Sequence, residues 1–217
     1  MKKYSKVRAV IFDMDGVITD TMPYHYRAWK KIFTQAGIPV GHLDIYTREG
    51  QKGIDSVYEI SAEYQKKFTT AQVNDLLKSK EILFKKIVRK KYISGTRQFI
   101  KDLKKLKFKL ALVTGTSRKE VCQILPKKIF DSFDVTVTGS DVHNGKPHPE
   151  PYLKALKGLC LGAKEAIVIE NAPFGIESAK RAGIKTFALE TSLPREYLKK
   201  ADKVFDTIDA LRSELFS

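Results

Sequence analysis

Five short apolar runs, separated by longer stretches of helical periodicity, are the feature that most constrains how this chain can fold. The runs cover residues 7–12, 109–113, 135–137, 166–169 and 186–189. They are rich in β-branched residues and apolar on both faces, which is typical of strands buried in a parallel sheet. Their alternation with helices predicts an α/β protein whose strands are joined by right-handed crossovers.

The stretches between the later runs have the apolar spacing of amphipathic helices. We predict helices at residues 96–106, 117–125, 151–159 and 174–182. Gly183 follows the last of them, at a position where a helix C-terminus favours a left-handed residue.

A second pattern interrupts the alternation directly after the first run, because three helical segments follow one another there. These segments are residues 24–36, closed by Gly37, residues 54–66, and residues 70–91, with Thr70 as the N-cap. An insertion at this point lies above the carboxyl ends of the strands, where ligands bind in such sheets. We therefore predict an α/β core of residues 1–20 and 92–217, and an all-helical insert of residues 21–91.

The apolar runs are also too short for a signal peptide or a membrane span. We therefore expect a cytoplasmic protein without a membrane partner. The two cysteines, Cys122 and Cys160, are isolated and lack the spacing of a metal site. We expect both to be buried thiols in a reducing compartment.

The net charge of +15 comes from basic residues spread along the whole chain. One local cluster comprises Lys85, Lys86, Arg89, Lys90 and Lys91. We expect it to be a solvated helix face, and substrate steering and polyanion binding remain as alternatives. Because no nucleic-acid motif surrounds it, small anions such as phosphates are the expected partners.

Polar side chains of the kinds used in catalysis and metal binding follow four of the predicted strands. Asp13 and Asp15 end the first, which by itself is also compatible with a turn or an N-cap. Residues 114–117, Thr-Gly-Thr-Ser, end the second and suit a phosphate group or a simple helix cap. Lys146 lies in a stiff loop after the third, and residues 170–171, Glu-Asn, end the fourth with hard oxygen ligands for Mg²⁺. Together they predict phosphoryl transfer, in which a protein positions groups and neutralises charge.

In this order the four motifs resemble those of the haloacid dehalogenase superfamily. Residues 13–21, Asp-Met-Asp-Gly-Val-Ile-Thr-Asp-Thr, and residues 24–29, Tyr-His-Tyr-Arg-Ala-Trp, are especially similar to its branch of β-phosphoglucomutases and related phosphatases. The resemblance covers essentially the whole chain. It implies a Rossmann-like core with an inserted helical cap, and a Mg²⁺-dependent enzyme.

The resemblance also implies a covalent mechanism. Asp13 would attack phosphorus and form an aspartyl phosphate, while Asp15 would act as general acid and then as general base. Thr114 would donate to a phosphoryl oxygen, and Lys146 would offset the negative charge. Gly115 and Thr116 would complete the phosphate-binding loop. Mg²⁺ would be held by Asp13, the Asp15 backbone carbonyl, Glu170 and Asn171.

By the same resemblance the helical cap closes over the site and excludes water. His25 and Lys80 match the residues that couple closure to the acid–base step, although a hinge histidine is often structural. Trp29 lies one turn after His25, where packing inside the cap is the stronger expectation.

Two departures from the mutase pattern stand out. Asn171 replaces an aspartate, which removes one charge from the metal site. The arginine that grips a distal phosphate falls near Gly53, so that Arg48 or Lys52 would have to substitute. A phosphatase needs no such anchor. We therefore favour a phosphatase acting on a small phosphorylated metabolite, a sugar phosphate above all. A hexose-phosphate mutase and, as a minor reading, a non-enzymatic polyanion-binding protein are the alternatives. We expect a monomer.

Overall fold

A computed structural model describes residues 4–217 and contains one six-stranded sheet in which every pairing is parallel. The strands are β1 (Ala9–Phe12), β2 (Lys109–Val113), β3 (Val135–Val137), β4 (Ala166–Glu170), β5 (Lys185–Leu189) and β6 (Lys203–Phe205), in the spatial order β3-β2-β1-β4-β5-β6. The predicted parallel α/β sheet is confirmed. The order reverses between β1 and β4, and ligands bind at such a switch point.

Helices occupy the connections between the strands. They are α1 (Met22–Gln35), α2 (His42–Tyr46), α3 (Gly53–Glu63), α4 (Thr70–Ile87), α5 (Thr96–Lys105), α6 (Arg118–Ile124), α7 (Lys127–Phe130), α8 (Glu150–Leu159), α9 (Pro173–Arg181) and α10 (Ile208–Phe216). Within residues 4–217, no helix combines the length and the apolar composition that a membrane span requires.

The strands are apolar on both sides because helices cover both faces of the sheet. Along β1, Val10 and Phe12 pack into one apolar cluster, while Ala9 and Ile11 pack into another on the opposite face. All four side chains are fully buried. This is the arrangement that a continuous apolar run predicts for a central parallel strand.

The inserted helices α1–α4 have an apolar cluster of their own. It is formed mainly by Met22, Trp29, Phe33, Ile38, Val40, Ile45, Tyr46, Val57, Ile60 and Val73. The two connections to the core run side by side, since the Asp20 amide donates to the Lys91 carbonyl at 2.8 Å and the Ile93 amide to the Ile18 carbonyl at 3.1 Å. These contacts support the division at residues 21–91, which stays a prediction.

Three details of the sequence prediction are wrong. Both cysteines are exposed, because Cys122 lies on the outer side of α6 and Cys160 ends α8 in a left-handed conformation. The N-cap of α4 is Thr69, whose hydroxyl accepts from the Gln72 amide in a capping box. Helix α4 ends at Ile87, so the basic cluster extends beyond it, although its residues are exposed as predicted.

Several short elements were not predicted. Strand β6 has only three residues, none fully buried, so its apolar signal is weak. Helices α2 and α7 are one turn long, which is too short for a helical period to register. Helix α10 was also missed, although Thr207 caps it by accepting from the Ala210 amide.

Candidate active site

The carboxyl ends of β1 and β4 hold a buried ionic cluster, made of Asp13, Lys146 and Glu170. The Lys146 ammonium donates to Asp13 Oδ1 at 2.6 Å, to Glu170 Oε1 at 2.7 Å and to the Val113 carbonyl at 3.2 Å. Each of the three charged side chains is 1% exposed. Parallel register explains the meeting, because Phe12 pairs with Ile169 and the next residue on each strand is an acid.

Protein donors occupy both oxygens of Glu170. Oε1 accepts from Lys146 and from the Tyr152 hydroxyl at 2.7 Å, while Oε2 accepts from the amides of Asn171 and Ala172. A Cβ at Gly175 would lie 1.8 Å from Oε1, so only glycine allows this approach. Sequence reasoning missed Tyr152, which sits on α8 and gives no signal beyond an apolar helix position. Both oxygens of Glu170 thus accept hydrogen bonds from protein donors, among them Lys146.

Charge and burial act together on the pKa values of this cluster. Burial raises the pKa of Asp13, the carboxylates of Glu170 and Asp15 raise it further, and Lys146 opposes them without reversing the shift. Burial lowers the pKa of Lys146, but Asp13 and Glu170 outweigh it and leave that pKa well above its usual value. The site therefore has a surplus of negative charge that favours binding a cation.

Asp15 is held by three donors. Oδ1 accepts from the Thr21 hydroxyl and lies 3.2 Å from His25 Nε2, and Oδ2 accepts from the Thr116 hydroxyl at 2.9 Å. Burial would raise the pKa of Asp15, but the charge of His25 and these hydrogen bonds overcome it and lower the pKa. The predicted roles of His25 in the acid–base step and of Thr116 in phosphate binding stay predictions, although both side chains lie beside Asp15. Thr21 was not selected from the sequence.

The loop after β2 lies against the helical cap. The Thr116 amide donates to Thr114 Oγ1 at 3.1 Å, and Ser117 caps α6, as the simpler interpretation of this motif predicts. A Cβ at Gly115 would lie 2.3 Å from the Gly50 carbonyl oxygen. Glycine at position 115 therefore allows the cap to approach the core within a backbone contact.

A cavity of about 250 Å³ separates the strand ends from the cap. The predicted residues Asp15, His25, Trp29, Arg48, Lys52, Lys80, Gly115 and Thr116 all line it. The structure therefore brings residues from five separate sequence segments to one place.

On the cap side of the cavity, aromatic rings pack against the polar side chains of His25 and Lys80. His25 stacks on Phe84 with ring centroids 4.0 Å apart. The Lys80 ammonium lies over the rings of Phe84 and Trp29 and pairs with Glu120 of α6 at 3.4 Å. Lys80 therefore links the cap to the core, through a partner that the sequence did not indicate. Trp29 stacks on Phe33 and is buried, in agreement with a packing role.

The two candidate anchors for a distal phosphate are engaged by the protein itself. Arg48 pairs with Glu59 and Glu63 and donates to the Asp44 carbonyl. Lys52 donates to the carbonyls of residues 142 and 143 at 3.2 Å each. Gly53, near which the resemblance expects an arginine, contributes no side chain, and a Cβ there would lie 2.9 Å from Leu77 Cδ2.

Glu49 lies in the same loop and was not selected from the sequence. It lines the cavity and is 8% exposed, and its Oε2 has no hydrogen-bond partner among the described residues. Burial raises its pKa well above the usual value, and the charges of Asp15, Asp13 and Glu170 raise it further. The cap thus places a carboxyl group close to the strand-end carboxylates.

Two more buried oxygens near the strand ends lack a partner in residues 4–217. They are Asp13 Oδ2 and Asn171 Oδ1, and the Asn171 amide nitrogen donates to Ser192 at 2.9 Å. In the same part of the chain, no group of three His, Cys, Asp or Glu side chains is arranged to hold a metal ion. One of these free oxygens belongs to a carboxylate and the other to an amide, and both are hard donors. They fit Mg²⁺, which usually keeps several water ligands and takes few from the protein.

Comparison with known proteins places this architecture in context. A family model described as haloacid dehalogenase-like hydrolase matches residues 10–189. A phosphorylated carbohydrates phosphatase of Thermotoga maritima is 34% identical over 188 residues, which cover 82% of this chain and 83% of the relative. A β-phosphoglucomutase of Bacillus subtilis is 32% identical over 188 residues, covering 82% of this chain and 81% of the relative. A solved β-phosphoglucomutase from Clostridium difficile superimposes with a TM-score of 0.84 at 28% identity, covering 97% of this chain and 95% of that chain.

Proposed function

Because this chain belongs to the haloacid dehalogenase-like hydrolase family and is an enzyme, we propose that it hydrolyses phosphomonoesters of small metabolites, with a sugar phosphate as substrate. The observation that carries the proposal is Asp13, a buried carboxylate with one oxygen oriented by Lys146 and the other without a partner. The names of the relatives support a phosphorylated sugar as the substrate class.

The reaction would begin at Asp13 Oδ1. This oxygen attacks phosphorus, the bond from phosphorus to the ester oxygen breaks, and an aspartyl phosphate forms. Lys146, already 2.6 Å from Oδ1, stays beside the transferred group and offsets its charge. The Thr114 hydroxyl and the backbone N–H groups of the loop after β2 suit the phosphoryl oxygens.

Asp15 would carry the protons. His25, at 3.2 Å, is placed to supply the proton that Asp15 gives to the departing alkoxide in the first half-reaction. In the second, the ionised Asp15 takes a proton from the attacking water, the bond between phosphorus and Asp13 Oδ1 breaks, and phosphate leaves. The lowered pKa of Asp15 suits the second role, since it keeps the carboxylate ionised and ready to accept.

A magnesium ion would rest on Asp13 Oδ2, the Asp15 backbone carbonyl and Asn171 Oδ1. The two side-chain oxygens are the ones without protein partners, and the surplus of carboxylates favours a cation. When bound, the ion supplies positive charge against the phosphoryl group. Glu170 would act through Lys146 instead of the metal, because its oxygens already accept four hydrogen bonds.

Hydrolysis is favoured over isomerisation by the state of the cap loop, residues 48–53. A mutase has to hold a second phosphate, and that needs a cation available to the substrate. Arg48 and Lys52 are paired with protein acceptors, and Gly53 contributes no side chain.

The test is ³¹P NMR of the protein with Mg²⁺ and β-glucose 1-phosphate, with and without a trace of glucose 1,6-bisphosphate. We expect inorganic phosphate in both samples, from this sugar phosphate or from others in a wider panel. Glucose 6-phosphate that forms only with the bisphosphate would establish the mutase instead, the activity named for the Bacillus subtilis relative. No phosphate release from any member of the panel would overturn the proposed hydrolysis.

A further inference from the structure

Glu49 is the one residue of the segment 48–52 whose side chain lines the cavity, is more than nine-tenths buried and has an oxygen without a partner. The polar side chains of its loop neighbours already have protein partners. Arg48 binds Glu59 and Glu63, and Gln51 donates to Glu59 at 2.7 Å while accepting from Ser56 at 2.8 Å. The mechanism above makes no use of Glu49.

The loop that carries Glu49 is seated firmly on the core. A Cβ at Gly50, which has φ +77°, would lie 2.7 Å from Lys146 Cδ, and a Cβ at Gly145 would lie 2.7 Å from Lys52 Cγ. Gly115 adds the backbone contact to Gly50 described above. Three glycines thus let the cap loop pack against the catalytic loops, and this fixes the position of Glu49.

Glu49 reaches the cavity from the cap loop. The phosphoryl group binds at the strand ends, beside Asp13 and Lys146, so the remainder of the molecule has to extend toward the cap. Glu49 contributes a carboxyl group there. A buried carboxyl oxygen without a donor is costly to leave unpaired, and a hydroxyl group is the donor that a neutral metabolite offers.

We infer that Glu49 is a specificity-determining residue that accepts a hydrogen bond from a hydroxyl group of the substrate. The inference rests on the proposed function and narrows it to phosphate esters of polyhydroxylated compounds. A carboxyl oxygen accepts such a bond in both protonation states, so the role does not depend on the charge of Glu49. Sites that bind a hydroxyl through a buried partner discriminate strongly against analogues that lack it.

The test compares Glu49→Ala, Glu49→Gln and Gln51→Ala with the wild-type protein. The probes are glucose 6-phosphate, β-glucose 1-phosphate and glycerol phosphate, against p-nitrophenyl phosphate, which has no free hydroxyl on its leaving group. We expect Glu49→Ala to lower kcat/KM roughly 10- to 100-fold for the hydrolysed polyol phosphates, as loss of a buried acceptor predicts, and less than about threefold for the aryl ester. Glu49→Gln retains an acceptor oxygen and should restore most of the loss.

Gln51→Ala is the matched control, because it loosens the same loop without removing the free carboxyl group. It should lower kcat/KM for all probes by a similar factor. Equal losses for the polyol and aryl esters in Glu49→Ala, or no loss at all, would overturn the inference. Monodeoxy analogues of glucose 6-phosphate refine a positive result, since the hydroxyl that Glu49 binds is the one whose removal no longer matters in Glu49→Ala.

Failure of the proposed hydrolysis is recognised separately. If the wild-type protein releases phosphate from none of the probes, calorimetric binding to Asp13→Asn decides the role of Glu49. Tighter binding of glycerol phosphate than of inorganic phosphate, lost in the double variant Asp13→Asn/Glu49→Ala, supports the inference. A ratio unaffected by Glu49→Ala, or no binding of either probe, overturns it.

Discussion

The core side and the cap side of the candidate site are built on different principles. On the core side, here called the core wall, Asp13, Lys146 and Glu170 lie behind the residues that line the cavity. They come from the ends of strands and neighbouring loops, and mutual hydrogen bonds hold them in one geometry. On the cap wall, Arg48 and Lys80 come from a loop and a helix, and each is tied to a carboxylate elsewhere. The register of the sheet fixes the geometry of the charged groups on the core wall. The contacts on the cap wall can change without disturbing the sheet.

The largest effect should follow from removing the nucleophile on the core wall. Asp13→Asn is nearly isosteric, and we expect phosphate release to fall more than about 1,000-fold, as for other nucleophile replacements. The circular dichroism spectrum should stay unchanged. Residual activity within tenfold of wild type would show that the nucleophile is another residue.

Next in size is the effect of Lys146→Met on stability. It leaves Asp13 and Glu170 buried without their cation, which should cost about 3–5 kcal/mol in the free energy of unfolding at neutral pH. The exposed pair of Lys127 and Asp131 is the control, and Lys127→Met should cost about 0–1 kcal/mol. Urea unfolding measures the loss of stability in both variants. Equal losses would contradict the claim that the buried cluster of the core wall depends on its cation.

The pH dependence of that loss has a definite sign. The folded-state pKa of Lys146 is raised, so its contribution is fully present below its unfolded pKa of about 10.4. It should disappear only as the pH rises through the folded-state value. The difference between wild type and Lys146→Met should therefore narrow at strongly alkaline pH.

A smaller effect is expected where the two walls meet, at Thr21 and Asp15. Thr21→Val removes one donor to a buried carboxylate and should cost about 1–3 kcal/mol at pH 7. Because the folded-state pKa of Asp15 is lowered, its contribution is present above the unfolded value of about 3.9 and is lost as the pH falls through the folded one. Urea unfolding should show a constant difference in stability between the two proteins from pH 7 to about pH 4, and a narrowing difference at lower pH. A difference that stays unchanged as the pH falls further would contradict the assignment.

The smallest effect should come from the contact between the cap and the core. Glu120→Gln weakens the largely buried pair with Lys80 by removing the charge of its partner. Because the glutamine amide oxygen still accepts a hydrogen bond from Lys80, we expect KM to rise only about two- to fivefold, with kcat nearly unchanged. Steady-state kinetics at low and high salt measure it. A loss in kcat as large as that of Asp13→Asn would place Glu120 in the chemistry and erase the contrast between the walls.

The same contrast explains what the sequence could reveal. Asp13 and Glu170 follow apolar runs directly, and parallel register brings the ends of such runs together, so the core wall was within reach of pattern analysis. Tyr152 was not, because an aromatic residue at a buried helix position looks like ordinary packing until the fold brings it to Glu170.

On the cap wall, the sequence indicated charge without indicating its partner. Arg48 and Lys52 were candidates for a phosphate because they lie near Gly53, where the resemblance expects an arginine. Both are engaged by acceptors that are distant in sequence or on another helix. Glu49 was not selected, since nothing in the sequence marks it as buried. Its burial arises from the packing of Gly50 and Gly115, which no periodicity expresses.

The side-by-side connections at residues 18–20 and 91–93 have a consequence for how the sheet is assembled. Strands β1 and β2 are neighbours in space but lie on either side of the whole cap in sequence. The entropy of closing a loop grows only slowly with its length, and here the ends of the loop are joined by backbone hydrogen bonds. The cap is thus a long connection between β1 and β2 whose two ends are already held together. We therefore expect that the cap can be exchanged or redesigned as a unit, while the strands that carry the proposed catalytic carboxylates keep their pairing.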